Sequence, residues 1–313
     1  MSKSFLSELA KGCEREKCTK KRGYFDNWAD NVFKELLPSG ENMQPRFQEM
    51  FDKGNGNELK DKAKAIHSSS MLAYNFFHWV SQKTPLTLFG KTFMDVAFEV
   101  KLPCLKRGSP ANLDVALLGE DRKSVLFLES KFTEHFHNRT FSMSGSYHNS
   151  DCYANKSSWL SVVESVERLV EGRMKPEKNY YEGIKQCVCH LIAIDRLRDC
   201  QKCLDKLFLV PLNSKCSFDF ATIVFEPNGA HFKKEHDAFN EYRNLFDVFV
   251  ETVNEQKVTK DDLFWNPANK RKHPGFLTYG DVWTDEDAKK SMPANLRDYL
   301  FTKYMKLSAT FVP

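Results

Sequence analysis

No apolar run in this 313-residue chain approaches the length of about eighteen residues that a membrane helix needs. The opening stretch M-S-K-S-F-L-S-E-L-A-K lacks the apolar core of a secretory signal. A strong charge imbalance is also missing: 46 Lys and Arg against 42 Asp and Glu leave a formal net charge of +4. That balance permits a nucleic-acid partner without pointing to one. Gly54-Asn55-Gly56-Asn57 has the glycine content of a phosphate loop, but no G-K-[ST] follows and no strand precedes, so it is not a P-loop. There is no helicase or ATPase motif, no internal repeat and no long low-complexity linker. These absences exclude a membrane protein, a repeat solenoid and an NTP-driven motor.

What is present is ordinary for a soluble protein, with 41% hydrophobic and 28% charged residues. Nine cysteines, an odd number in a chain without a secretory signal, read as reduced thiols in a cytoplasm. The length fits a single elaborated α/β domain. Its expected parts are a helical N-terminal region (1–85), a core (86–227) and a helical C-terminal extension (228–313).

The informative stretch is 110–132, P-A-N-L-D-V-A-L-L-G-E-D-R-K-S-V-L-F-L-E-S-K-F. Two apolar runs, 113–118 and 125–128, flank a polar cluster, as in a hairpin. Runs apolar at consecutive positions suit strands covered on both faces, in mid-sheet. Asp114, Glu129 and Lys131 interrupt them. Glu129 and Lys131, two apart, share a face. If residues 120–123 form the loop, Gly119 pairs with Ser124 and Asp114 falls opposite Glu129, with β-carbons roughly 4.5–5.5 Å apart. An odd loop would send Asp114 to the other face. Paired carboxylates repel, and a hard divalent cation such as Mg²⁺ or Mn²⁺ relieves them. A structural Asp/Glu–Lys ion pair at a sheet end is the alternative.

Asp114, a hairpin and then Glu129-Ser130-Lys131 resemble the PD-(D/E)XK nuclease superfamily, although Leu113 stands where that pattern has proline. The likeness extends over residues 55–211 through element order. It implies a restriction-endonuclease-like αβββαβ core with a central mixed sheet, extended by N- and C-terminal helices. It implies metal (Mg²⁺ or Mn²⁺) held by Asp114, Glu129 and the Ser130 carbonyl, with Lys131 beside the attacking water. Superfamily members often carry a glutamate on the helix before the sheet, a place that Glu58 matches; its other reading is a dipole-compensating residue in the first turn of a helix. Glu99 competes with Glu58 as a third carboxylate.

Periodicity predicts helices over 28–37, 57–81, 159–170, 179–194, 236–252 and 294–305, and strands over 86–102, 206–211 and 220–227. Segment 206–211 is the expected closing strand of the core and 220–227 an added one. The polar, aromatic segment 132–158 reads as a binding flap whose Arg139 and Lys156 contact nucleic acid, or as a surface loop. Lys270, Arg271 and Lys272 form the most basic short run, a phosphate-contact candidate. The basic run 17–22 suits a solvated helix face, with phosphate contact as the alternative. Lys185 and Gln186 suit solvent or a site-directed role. His135-x-His137 could start a zinc site but has no evident further ligands. Cys200-x-x-Cys203 has metal spacing, with Cys187, Cys189, Cys216 and Cys13 or Cys18 as further candidates.

The expected function is metal-dependent DNA endonuclease, acting on duplex DNA in the manner of a restriction enzyme, with a homodimer left open. The alternatives are a RecB-like exonuclease with a cysteine-bound cluster and a non-cleaving nucleic-acid-binding protein of the same fold.

Overall fold

The computed structural model describes residues 1–13, 18–19, 23–38, 40–54, 58–137, 143–153, 158–173, 181–198, 204, 207–213, 215–256, 258, 263–267 and 272–311. In chain order the helices are α1 (Lys3–Gly12), α2 (Pro45–Lys53), α3 (Ser69–Phe77), α4 (Ser158–Arg173), α5 (Tyr181–Leu197), α6 (Lys233–Glu255), α7 (Tyr279–Thr284), α8 (Glu286–Ser291) and α9 (Ala294–Lys303). The strands are β1 (Cys18–Thr19), β2 (Tyr24–Phe25), β3 (Leu86–Leu88), β4 (Lys91–Leu102), β5 (Ala111–Gly119), β6 (Ser124–Lys131), β7 (Ser217–Val224) and β8 (Phe276–Thr278). β1 and β2 form a small separate hairpin, and the other six make one sheet in the order β3-β4-β5-β6-β7-β8. The first four are antiparallel, while β7 and β8 run parallel to β6. No described helix is long and apolar enough to cross a membrane.

The sheet is covered on both faces, which is why its central strands read as continuous apolar runs. On one face Val115, Leu117, Leu126 and Leu128 pack with residues of α1, α2, α3, α7, α8 and α9. On the other, Ala116, Leu118, Val125 and Phe127 pack with α4, α5 and α6. Helix α6 carries the stripe the sequence predicts, with Phe239, Tyr242, Leu245, Phe246, Phe249, Val250 and Val253 buried.

Several expected elements differ. The region 86–102 is a hairpin, because Phe89 and Gly90 both adopt positive φ (49° and 75°) and turn the chain between β3 and β4. The stretch 28–37 is helical only as a 3₁₀ turn over Trp28–Asn31. Backbone groups there bond elsewhere: Phe33 N donates to Asn75 Oδ1, and Asn31 O accepts from Asn75 Nδ2 and Lys303 Nζ. The long helix expected over 57–81 shrinks to α3. Ser68 caps it by accepting from Met71 N, and just before it Ile66 N pairs with Gly23 O and Ala65 bridges Tyr24. That extended pairing removes the backbone that an upstream helix would use. Segment 207–211 is no strand: Leu209 is 74% exposed and its amide donates to Asp95 Oδ2. The strand beside β6 is β7, which overlaps the predicted 220–227.

Candidate active site

The site lies where the β5–β6 ladder ends. Val115 faces Leu128 and Leu118 faces Val125, a register that puts Asp114 opposite Glu129 and Gly119 opposite Ser124. The connecting turn is built by Asp121, whose Oδ1 accepts from Lys123 N and Ser124 N, and by Arg122 at φ 56°. Beyond Val115 the ladder stops, and Asp114 Oδ2 accepts from Ser130 N at 2.7 Å. The side chain takes the amide that another ladder rung would have used.

Glu129 and Lys131 are both 3% exposed. Lys131 Nζ donates to Glu129 Oε1 (2.5 Å) and to Gln186 Oε1 (2.8 Å) on α5. One turn along that helix, His190 holds Nδ1 3.6 Å from Glu129 Oε2, and its ring also meets the Asn112 backbone. Neither Glu129 Oε2 nor His190 Nδ1 has a hydrogen-bond partner among the described residues. Ser130, fully buried, donates through Oγ to Ser69 O and shares a 2.7 Å hydrogen bond with Tyr279 Oη, pinning β6 to α3 and α7.

A third carboxylate stands on the other side of Asp114. Phe98 pairs with Val115 and Val100 with Leu113, so Glu99 falls level with Asp114. Glu99 is a strand residue at φ 50°, a left-handed conformation that a non-glycine residue holds only when its surroundings enforce it. The kink interrupts alternation: Phe98 packs in one core, Val100 in the other. Glu99 Oε2 accepts from Asn112 Nδ2, and Gly54 lies so close that a β-carbon there would stand 3.0 Å from the same oxygen.

Glu58 sits in a turn, not on a helix as expected, yet its side chain is buried. Its Oε1 accepts from Lys62 Nζ at 2.6 Å, and its Oε2 faces Ser70 Oγ at 3.4 Å. Burial and then Glu58 push the Glu99 carboxyl up to about 8, against the hydrogen bond from Asn112. Burial of the Asp114 carboxyl, followed by Glu129 and Glu99, raises it well above the usual carboxylate range, although the residue keeps some exposed surface. The four acids thus form one chain, Glu58–Glu99–Asp114–Glu129.

Among the described residues no group of three His, Cys, Asp or Glu side chains is arranged to hold a metal ion. The chemistry present is that of crowded, mostly buried carboxylates, with Glu129 Oε2 making no hydrogen bond among the described residues and lying 3.6 Å from His190 Nδ1. Hard divalent cations fit such donors, with water completing the shell.

Of the expected basic contacts, Arg139, Lys156, Lys270 and Arg271 lie outside the described residues, as do Cys200 and Cys203. Lys272 is exposed. Lys101, exposed, pairs in register with Asn112, two residues from Asp114. His135 is a packing residue, stacked on Tyr242, with both ring nitrogens unpartnered among the described residues. Gln186 points toward Lys131, from whose Nζ it accepts a hydrogen bond. His190, Asn112 and Lys62 went unread in the sequence; for His190 the signal was its i, i+4 spacing from Gln186, which puts both on one helix face.

The fold is mixed α/β, a six-stranded sheet covered by helices on both faces. Residues 7–305 match the family described as Restriction Endonuclease associating with ARP, and the chain belongs to that family. No curated protein and no solved structure matches it.

Proposed function

We propose that the protein is a divalent-metal-dependent endonuclease of the PD-(D/E)XK type that hydrolyses phosphodiester bonds of duplex DNA, with Mg²⁺ or Mn²⁺ as its ion. One observation carries this reading: Asp114, Glu129 and Lys131 form a single cluster on adjacent strands, in which the buried Glu129 Oε2 makes no hydrogen bond among the described residues and faces His190 Nδ1 at 3.6 Å. The order α3, β4, β5, β6, α5, β7 supports an αβββαβ core, with three antiparallel strands followed by a parallel one. Membership of a restriction-endonuclease family supports the restriction type, a step that rests on likeness.

In this reading Asp114, Glu129 and the Ser130 carbonyl hold the ion, and Glu99 is the third carboxylate, with Glu58 behind it. When bound, the ion supplies a Lewis acid and lowers the pKa of a coordinated water. Lys131, fixed by Glu129 Oε1 and Gln186, offers its ammonium to the attacking water and to the charge that builds on the phosphorane. The water oxygen gives one proton to bulk solvent and bonds to phosphorus as the bond to the leaving sugar oxygen breaks, and that oxygen takes a proton from solvent. Phosphates are held by Lys101, Lys106 and Arg107, together with Arg139, Lys156, Lys270, Arg271 and Lys272. The setting is cytoplasmic.

The test is incubation of plasmid and genomic DNA with the purified protein and Mg²⁺ or Mn²⁺, with and without EDTA. Cleavage that needs the ion and disappears in Asp114→Asn is expected. Cleavage that persists in EDTA, or DNA left intact with either ion, sinks the reading.

A further inference from the structure

Two thiols meet where the connection between β4 and β5 runs past α5. Cys104, on that connection, is buried, and its Sγ lies 3.3 Å from the carbonyl oxygen of Cys189 on α5. The same sulfur sits 3.5 Å from Tyr147 Oη. Tyr147 also hydrogen-bonds the Cys189 thiol, so one phenol touches both sulfurs. Cys13 and Cys216 turn instead to backbone carbonyls, the first to Leu9 and the second to Arg122 and Asn213.

The backbone just after Cys104 is fixed to its neighbours. Arg196 Nη1 donates to Leu105 O at 2.7 Å, about two turns along α5 from Cys189. Lys106 N donates to Cys152 O, also at 2.7 Å. These bonds hold Cys104 against the helix before any covalent link exists. An S–S bond of about 2.05 Å between residues so held asks for rotation about the two Cα–Cβ bonds and release of Tyr147, not for sliding of α5. Solvent approaches from the Cys189 side, since Cys189 is half-buried and Cys104 is covered. Burial pushes both thiols up, Cys104 to about 12. Little thiolate is therefore present at neutral pH, and the pair stays reduced in air.

We propose that Cys104 and Cys189 are a modification site, a dithiol that a hydroperoxide closes into a disulfide locking the β4–β5 connection onto α5. The Cys189 thiol loses its proton to solvent, and its sulfur attacks a peroxide oxygen. The O–O bond breaks, the departing hydroxide takes up a proton as water, and Cys189 is left as a sulfenic acid. The Cys104 sulfur then attacks the Cys189 sulfur and the S–O bond breaks. The hydroxide released takes the Cys104 proton and leaves as a second water. Each sulfur gives up one electron, and the peroxide takes both. The bond joins the exposed Lys106 and Arg107 segment to the helix that holds Lys131 through Gln186. It forms whether or not the protein cuts DNA.

The experiment is treatment of the whole native protein with hydrogen peroxide, then alkylation in denaturant and peptide mass mapping without reductant. A peptide pair joined through Cys104 and Cys189, lighter than the separate peptides by two hydrogens and returned to free thiols by dithiothreitol, is expected. The oxidised protein should melt several degrees higher, because the bond closes a long loop of the unfolded chain. In Cys104→Ser the reaction should halt at the Cys189 sulfenic acid, captured by dimedone, with no such rise. Both thiols recovered free from the native protein, or either joined to a different cysteine, overturns the proposal. So does Cys189 carried on to sulfinic acid without a bond. A bond that forms without raising the melting temperature overturns the lock.

Discussion

Asp114 accepts the Ser130 amide at 2.7 Å, and this contact both ends the β5–β6 ladder and opens the site. A side chain replaces a carbonyl as the acceptor, so the strands part where two acids face each other. Glu129 then turns to Lys131 and His190 instead of a cross-strand neighbour. The geometry that stores carboxylate repulsion is thus a direct product of the strand register.

Asp114→Asn, Glu129→Gln and Lys131→Ala should each lower DNA cleavage by at least about 10²-fold, the scale of losing one preorganised electrostatic group. Asp114→Asn should melt no lower than the native protein, because a neutral amide relieves repulsion from Glu99 and Glu129. Plasmid cleavage and thermal melts check both outcomes. Native turnover in any two of the variants would remove these residues from the chemistry.

The Glu99 carboxyl sets an alkaline limit on the cation-free protein. Its folded pKa is raised to about 8 from an ordinary 4.5, so the folded state prefers the protonated form. Stability from this group is full below about 4.5 and is lost progressively as pH rises through about 8. Melting temperature in EDTA should therefore fall across that window. Glu99→Gln should flatten the fall and raise the melting temperature at its upper end. An unchanged slope in Glu99→Gln would contradict the assignment.

How much of this could be read from the chain depends on the range of the interactions. The β5–β6 register is local: an even polar loop between apolar runs sets it, and so Asp114, Glu129 and Lys131 were legible. Glu99 was harder, because its φ of 50° breaks the alternation that would have placed its side chain. Glu58 was expected on a helix whose backbone is instead drawn into pairing with residues 23 and 24, far upstream. The 28–37 stretch has helical periodicity, but the Phe33 amide bonds to Asn75 and the Asn31 carbonyl to Lys303. Tertiary partners decided these positions, and periodicity does not report them.

On the acid side, His78 should matter more than the carboxylates. It is buried and stacked on Tyr74, with ring centroids 4.8 Å apart, and burial lowers its pKa from 6.5 to about 4. The folded state prefers neutral imidazole, so this contribution is present above about 6.5 and lost as pH falls through about 4. His78→Gln should cost stability at neutral pH but flatten the acid limb in urea titrations run between those values. A parallel acid limb in the variant would place the loss elsewhere.

Gly54 offers a probe of the site that leaves its charges alone. A β-carbon there would stand 3.0 Å from Glu99 Oε2 and from Phe51 O, so Gly54→Ala must displace Glu99 or the chain after α2. Its φ of −59° suits alanine, which removes backbone strain as a cause. Cleavage should fall several-fold and Mn²⁺ affinity should change, while the far-ultraviolet circular dichroism stays native. Native values of both would show that Glu99 has room to spare.

The last expectation concerns the path of DNA. The carboxylate cluster repels phosphate, so binding must come from cations around it. Lys101 lies on β4 two residues beyond Glu99, and Lys106 and Arg107 follow in the exposed connection to β5. That connection leads into Asn112 and Asp114, so these three side chains border the strand that carries the site. Neutralising Lys101, Lys106 and Arg107 together should weaken binding to every duplex sequence. It should also flatten the dependence of log affinity on log salt, by up to roughly 0.9 for each phosphate left without its cation. The sequence selected for cutting should stay the same, since phosphate contacts position the duplex and base contacts specify it. Filter-binding isotherms over a salt series, with Ca²⁺ in place of Mg²⁺, measure the slope. A slope equal to that of the native protein would route the DNA past another face.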